Sequence, residues 1–375
     1  MNAIRPFTLD IPEADLADLA ARLDRTRWPE AATVDDWTQG TPLAALRELV
    51  AYWRNGYDWR RCEARLNALG QFVTEIDGLD IHFLHKPSSR SDAVPLLLTH
   101  GWPGSVVEFL GVIDELTEPT VADTQAFHVV APSLPGYGFS DKPGATGWGV
   151  ERIAQAWTEL MQRLEYRRWM AQGGDWGAAV TMAIGQLAPS ECRGIHLNMP
   201  IGRPGPDDMQ SKDSKVLKAL QRLGFYQEWD SGYSKQQSTR PQTIGYGLVD
   251  SPSALAAWML EKVHYWTDNQ GSAWDVLTMD QVLDDVMLYW LPATGASAAR
   301  LYWESFGKFG DGTVSIPAGA SAFPGEILPA PREWVERTLT NLVYWNDLDK
   351  GGHFAAWEQP ELFVSELRAC VAAMP

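Results

Sequence analysis

A chain of 375 residues with 45% hydrophobic and 21% charged residues has the apolar material for a large globular core, as one α/β domain with an insertion or as two domains. Its formal net charge of −17 repels phosphate backbones and anionic headgroups, which argues against nucleic acid as a partner. Three scattered cysteines (Cys62, Cys192, Cys370) form neither a disulfide framework nor a metal-ligand spacing, and no run approaches the roughly 20 apolar residues of a membrane span.

Residues 1–70 read as helical. Pro12 suits a first helical position, and Leu16, Leu19, Ala20 and Leu23 follow at the i, i+3, i+4, i+7 spacing of one helix face. Apolar patterns near 43–53 and 61–69 predict two more helices. The opening Met1-Asn2-Ala3-Ile4-Arg5-Pro6 carries no apolar stretch fit for a signal peptide, so a soluble, cytoplasmic protein is expected. Residues 72–76 and 79–84 then read as strands joined by a turn at Asp77-Gly78. A buried strand over 95–99, a helix over about 104–117 and a strand over 127–131 follow. Next comes a helix with Ile153, Ala156, Trp157, Leu160, Met161 and Leu164 on one face, a short strand near 169–173, a helix from 176 and a strand over 194–198. Strands alternating with helices of this length predict a mostly parallel sheet covered on both faces.

From 203 the alternation stops and the pattern becomes helical. Ser251-Pro252 opens a helix expected to turn Leu255, Trp258, Met259 and Val263 inward. Strand signals return at Val314-Ser315-Ile316 and at Leu342-Val343-Tyr344-Trp345, and a helix near 359–372 closes the chain. The expected organisation is a helical N-terminal arm (1–70), an α/β core in two parts (71–202 and 312–375), and a helical cap (203–311) between them.

The turn Gly173-Gly174-Asp175-Trp176-Gly177, between a short apolar strand and a helix starting Ala178-Ala179-Val180, has the context of a nucleophile elbow. Glycines flanking the central residue let helix and strand approach closely, and the helix start places N–H groups near Asp175. Gly and Asp also favour ordinary turns, so the motif takes its weight from its neighbours. A carboxylate nucleophile needs no base to attack saturated carbon; water must then hydrolyse the ester formed on the side chain itself.

Those neighbours stand in the right order. His100-Gly101-Trp102-Pro103-Gly104 follows the buried strand, where α/β-hydrolases supply one oxyanion-hole amide, with the residue after the nucleophile supplying the other. The donors here are the amides of Trp102 and Trp176. Of seven histidines, only His353, in Gly351-Gly352-His353-Phe354, occupies a C-terminal loop behind the candidate acids. His82, His85, His100, His128, His196 and His264 are read as structural, and no pair has metal-ligand spacing. Glu326 fits the order nucleophile, acid, histidine; Asp347 and Asp349 are its rivals, less suited because they share the loop of His353.

With these motifs the chain resembles the microsomal-type epoxide hydrolases, in a bacterial soluble form, over nearly its whole length. Pro6-Phe7 and Arg27-Trp28-Pro29 are similar to that family's N-terminal meander. The Gly-Asp-Trp-Gly turn, the His100 loop, Ser321-Ala322-Phe323-Pro324 before Glu326, and the His353 loop look like its signatures. The resemblance implies an α/β-hydrolase fold and a cofactor-free conversion of an epoxide and water to a diol. It also assigns Tyr233, in Ser231-Gly232-Tyr233, and Tyr302, in Arg300-Leu301-Tyr302-Trp303-Glu304, as donors to the epoxide oxygen. An unperturbed phenol, with a pKa near 10, is a protonated donor at neutral pH. Trp102, Trp176, Tyr233 and Tyr302 are accordingly expected to line the substrate site. The membrane anchor of some members is not carried over, and a monomer or homodimer is expected. A haloalkane dehalogenase is the enzymatic rival, disfavoured because a departing halide needs no phenols; a ligand-binding protein without turnover is the other. The aromatic-rich cap suggests an apolar or aryl epoxide, in a catabolic, detoxifying or biosynthetic role.

Overall fold

The computed structural model describes residues 3–121 and 124–375. Its centre is a nine-stranded sheet in the order β1-β2-β3-β5-β4-β6-β7-β8-β9. The strands are β1 (Arg5–Phe7), β2 (Gln71–Ile76), β3 (Leu79–Lys86), β4 (Val94–Thr99), β5 (Phe127–Pro132), β6 (Trp169–Gly173), β7 (Cys192–Leu197), β8 (Ala318–Ala322) and β9 (Leu342–Asp347). The first three strands and the β3–β5 pairing are antiparallel, with β2 and β3 joined at the Asp77-Gly78 turn; from β5 to β9 every pairing is parallel. The central strands are buried on both faces, as their apolar runs require: Leu96, Leu97 and Leu98 of β4 are inaccessible. The fold is that of the α/β-hydrolases.

Between β7 and β8 the described chain forms no strand. Its helices include Ser214–Phe225, Gly232–Thr239, Pro241–Asp250, Pro252–Trp266, Met279–Trp290 and Gly295–Ser305. This layer docks on the loops that leave the C-terminal ends of the parallel strands. Tyr289 donates to the carbonyl of Gly104 at 2.7 Å, Ser297 to that of Gly136 at 2.6 Å, and the His353 amide to the carbonyl of Trp266 at 2.9 Å. The crevice outside those strand ends is where open α/β sheets bind ligands. The N-terminal helices (Glu13–Asp24, Leu43–Asn55, Trp59–Ala68) strap the layer down. Tyr57 donates to Asp284 at 2.8 Å, Arg61 pairs with the same carboxylate at 2.7 Å, and Trp37 stacks on His264 at 3.8 Å.

Four expectations differ from the structure. The arm is not wholly helical, since Arg5–Phe7 adds a three-residue edge strand paired with β2, too short to register as a pattern. The helix over 104–117 is broken into a 3-10 turn, Val106–Phe109, and a short helix, Ile113–Thr117. The signal at 314–316 falls upstream of its strand: Val314 forms only an isolated bridge to Leu339, and the ladder is Ala-Gly-Ala-Ser-Ala at 318–322. Small residues are demanded there by the closing helix, because a Cβ on Gly319 would run into Cys370 Sγ, and small residues carry no β-branched signature. Trp258 is half-buried rather than turned fully inward. No helix among the described residues is long and apolar enough to cross a membrane.

Candidate active site

β6 ends at Gly173 and the helix Trp176–Leu187 starts after two intervening residues, leaving Asp175 on the turn with φ 51° and ψ −128°. A non-glycine residue there is strained, and the surroundings must hold it. They do so by close approach: a Cβ on Gly177 would strike the carbonyl of Thr99 at the end of β4, and one on Gly101 would strike Asp175 Oδ1. Asp175 is 9% exposed, its carboxylate aimed at the loop after β4. There the backbone amide of Trp102 donates to Oδ1 at 2.7 Å, across a loop whose Trp102–Pro103 peptide is cis. The Trp176 amide heads the helix directly behind Asp175 and makes no bond to the carboxylate.

His353 reaches Asp175 from the far side. Its Nε2 lies 3.5 Å from Asp175 Oδ2, and its Nδ1 is 2.8 Å from Glu326 Oε1. All three side chains are buried. The two loops that carry the histidine and the acid are pinned together, with Gly325 bridged to Gly352. Glu358 clamps the turn by accepting from the amides of Gly352, at 3.1 Å, and Phe354, at 3.0 Å. Burial opposes protonation of His353, but the Glu326 carboxylate, with help from Asp175, more than offsets it and raises the imidazole well above its ordinary value. Of the rival acids, Asp347 pairs with Lys215 at 2.8 Å on the surface and Asp349 is exposed. Neither approaches the imidazole.

Tyr233 and Tyr302 come from two different helices of the layer between β7 and β8 and meet over the loop of Trp102, their ring centroids 5.8 Å apart. Tyr233 stacks on Trp102 at 4.9 Å with planes 9° apart, while Tyr302 meets Trp176 edge-on at 4.8 Å. Burial first, then each phenol's charged and phenolic neighbours, Asp175 among them, push both well above the usual tyrosine range, so both keep their protons at neutral pH. The structure therefore brings Asp175, His353, Glu326, Tyr233, Tyr302, Trp102 and Trp176 into one buried cluster. A carboxylate that can attack, two O–H donors, and an imidazole oriented by a second carboxylate are the parts for a displacement followed by hydrolysis.

The remaining histidines take other partners, although His100 also lines the small cavity beside Asp175. His100 accepts from the Leu134 amide at 3.2 Å, and burial pushes it down to about 4. His82 bridges Ser133 and Gln71 at 2.9 and 3.0 Å. Among the described residues no group of three or more His, Cys, Asp or Glu is placed to hold a metal. Sequence reasoning missed three residues at the cluster. Tyr226 puts its hydroxyl 3.2 Å from that of Tyr233, and Trp266 lies 5.1 Å from the rings of both Tyr233 and His353. Glu108 lines a small cavity with Asp175 and His353. Only the i, i+7 spacing of Tyr226 and Tyr233 hinted at any of them.

The chain is similar to known proteins over nearly its whole length. Residues 4–109 match the family described as "Epoxide hydrolase N terminus", and residues 94–360 match "alpha/beta hydrolase fold". A protein of Stigmatella aurantiaca assigned to the epoxide hydrolases is 53% identical over 371 residues, covering 98% of this chain and 84% of that one. Epoxide hydrolase 1 of Sus scrofa is 34% identical over 401 residues, covering 98% and 88%. The solved structure of Aspergillus niger epoxide hydrolase superposes with a TM-score of 0.91 at 35% identity, covering 100% of this chain and 97% of that one.

Proposed function

The chain belongs to the microsomal-type epoxide hydrolases, enzymes that hydrolyse an ether bond, and we propose that it opens an apolar or aryl epoxide through an ester on Asp175. Oδ1, held by the Trp102 amide, becomes the ester carbonyl oxygen, so Oδ2 is the attacking atom. As Oδ2 bonds to one ring carbon, the carbon–oxygen bond of the ring breaks, and the departing oxygen takes a proton from Tyr233 or Tyr302. Converting Asp175 to a neutral ester removes one of the two carboxylates that hold the proton on His353. The imidazolium then gives up its proton, which restores the phenol, and the neutral imidazole is left as a base.

In the second step water gives a proton to His353 Nε2 and adds to Cγ of Asp175. The carbonyl electron pair moves to Oδ1, towards the Trp102 amide and the Trp176 amide at the helix start. Collapse breaks the Cγ–Oδ2 bond and the diol leaves with Oδ2, taking the proton from His353. The regenerated carboxyl then returns its own proton to the imidazole, and the resting pair is restored.

The observation that carries this reading is the pair of buried phenols that meet against Trp102 and Trp176, the residues flanking the Asp175 carboxylate. A halide would leave without a proton and make no use of them. The facing rings of Trp102, Trp176, Trp266 and the two tyrosines support an apolar or aryl substrate. A single turnover in heavy-oxygen water tests the route. The diol should carry unlabelled oxygen and Asp175 should acquire the label; label in the first diol would refute it.

A further inference from the structure

Glu108 lies in the 3-10 turn Val106–Phe109, just beyond the loop that supplies the Trp102 amide. Its carboxyl folds back so tightly that a Cβ on Gly104 would collide with Glu108 Oε1. With Asp175, His353 and Asn198 it lines an internal cavity of about 20 Å³, room for roughly one water molecule with several polar partners. Although enclosed by protein, Glu108 keeps accessible surface, as a side chain facing such a cavity does. Tyr233, Tyr302 and Trp266 do not line it. The cavity thus meets Asp175 and His353 without either phenol in its lining, and Trp102, against which both phenols pack, forms part of the wall.

Among the described residues no Lys, Arg or His nitrogen lies within ion-pair distance of Glu108; His353 acts on it only as a nearby charge. Burial, then Asp285, with Asp175 and Glu358 adding to them, raise its carboxyl well above the usual range against the pull of His353. Asp285 is itself occupied, accepting from Ser105 at 2.6 Å. A neutral carboxyl beside the nucleophile does not compete for the epoxide, yet keeps a carbonyl oxygen that accepts a hydrogen bond.

We propose that Glu108 holds the hydrolytic water. Resting on the ester route above, the water sits in this cavity, gives one hydrogen to His353 Nε2 and the other to a Glu108 carboxyl oxygen, and turns a lone pair towards Cγ of Asp175. Because neither phenol lines the cavity, the water is retained while the epoxide binds and is in place when the ester forms. In the step itself only the O–H bond to His353 breaks. Glu108 keeps its hydrogen bond throughout and neither gains nor loses a proton.

The test compares wild type, Glu108→Leu, Glu108→Gln and His353→Gln by rapid quench and intact-protein mass spectrometry, with styrene oxide as the probe. Glu108→Leu should form the ester on the wild-type timescale but hydrolyse it on the order of 10- to 100-fold more slowly, the scale set by misplacing a reactant. The alkylated fraction at steady state then rises. Glu108→Gln, which keeps a carbonyl acceptor, should recover most of the rate. If leucine disturbs folding, Glu108→Met, closer in volume and equally without an acceptor, should give the same partition. An unchanged alkylated fraction in the leucine or methionine variant, equal slowing of both steps, or glutamine as slow as leucine would overturn the assignment. If His353→Gln accumulates an ester while Glu108→Leu does not, the Glu108 role alone falls. If no variant forms an ester, the covalent route falls with it.

Discussion

On the proposed ester route, replacing His353 by glutamine should separate the two halves of the reaction. Ring opening draws on Asp175 Oδ2 and on the phenols, none of which glutamine removes, whereas hydrolysis needs a base at the position of Nε2, 3.5 Å from Oδ2. A positioned general base contributes about 10²- to 10⁴-fold, which at about 1.4 kcal/mol per decade is roughly 3 to 5.5 kcal/mol on the second barrier. The first barrier should move far less, because the imidazolium is not a reactant in that step. The ester should therefore outlast many wild-type turnovers, and nearly every molecule should gain the full mass of one epoxide. Intact-mass measurement after mixing with excess styrene oxide reads this directly, and peptide mapping should place the adduct on Asp175. Diol released at the wild-type rate with no adduct would refute the assignment of His353. An adduct on another residue would refute that of Asp175.

Three further outcomes follow from the same geometry. Tyr233→Phe and Tyr302→Phe should each slow ester formation by about 10- to 100-fold, and together nearly abolish it, if both donate to the leaving oxygen as proposed; ester accumulating normally in the double variant would exclude them. Because burial raises both phenols, the rate of ester formation should show no loss of acid near pH 10, where a free tyrosine titrates; stopped-flow tryptophan fluorescence measures it. Glu326→Gln should slow ester hydrolysis and move its pH midpoint downward, because the carboxylate 2.8 Å away is what raises His353. The sign for stability follows from linkage: with a folded value above the unfolded one, His353 contributes fully below the ordinary imidazole range, and the contribution is lost as pH rises through the raised value. Melting temperatures of Glu326→Gln should accordingly fall less on the alkaline side than those of wild type, and parallel curves would contradict the coupling.

Much of this site is legible from one dimension because its parts are set by local backbone needs. The glycines around Asp175 are dictated by contacts of the turn with its neighbours, and a strand–turn–helix pattern announces where such a turn falls. The same holds for the loops of Trp102 and His353, which sit at strand ends where short glycine-rich segments are conspicuous. The periodicity of apolar residues likewise marks most strands and the helical stretch after β7. Tyr233 and Tyr302 are different: nothing local distinguishes them from other tyrosines, and only the likeness to a family singles them out.

What only the folded chain decides is which distant groups share a volume. β8 carries no strand signature because its residues are selected for smallness against the closing helix, a constraint that exists only once the two pack. The sheet order that places β4 between β5 and β6 brings the Trp102 amide to Asp175, 73 residues away. Tyr226, Trp266 and Glu108 acquire meaning only from their distances to groups on other elements. A carboxyl in a helical turn reads as a solvated surface acid until the fold buries it beside His353, and burial is a sum over neighbours that spacing along the chain does not encode. Asp175 as a candidate nucleophile belongs to the sequence; the cavity behind it, and the partition of substrate and water that this cavity makes possible, belong to the tertiary structure.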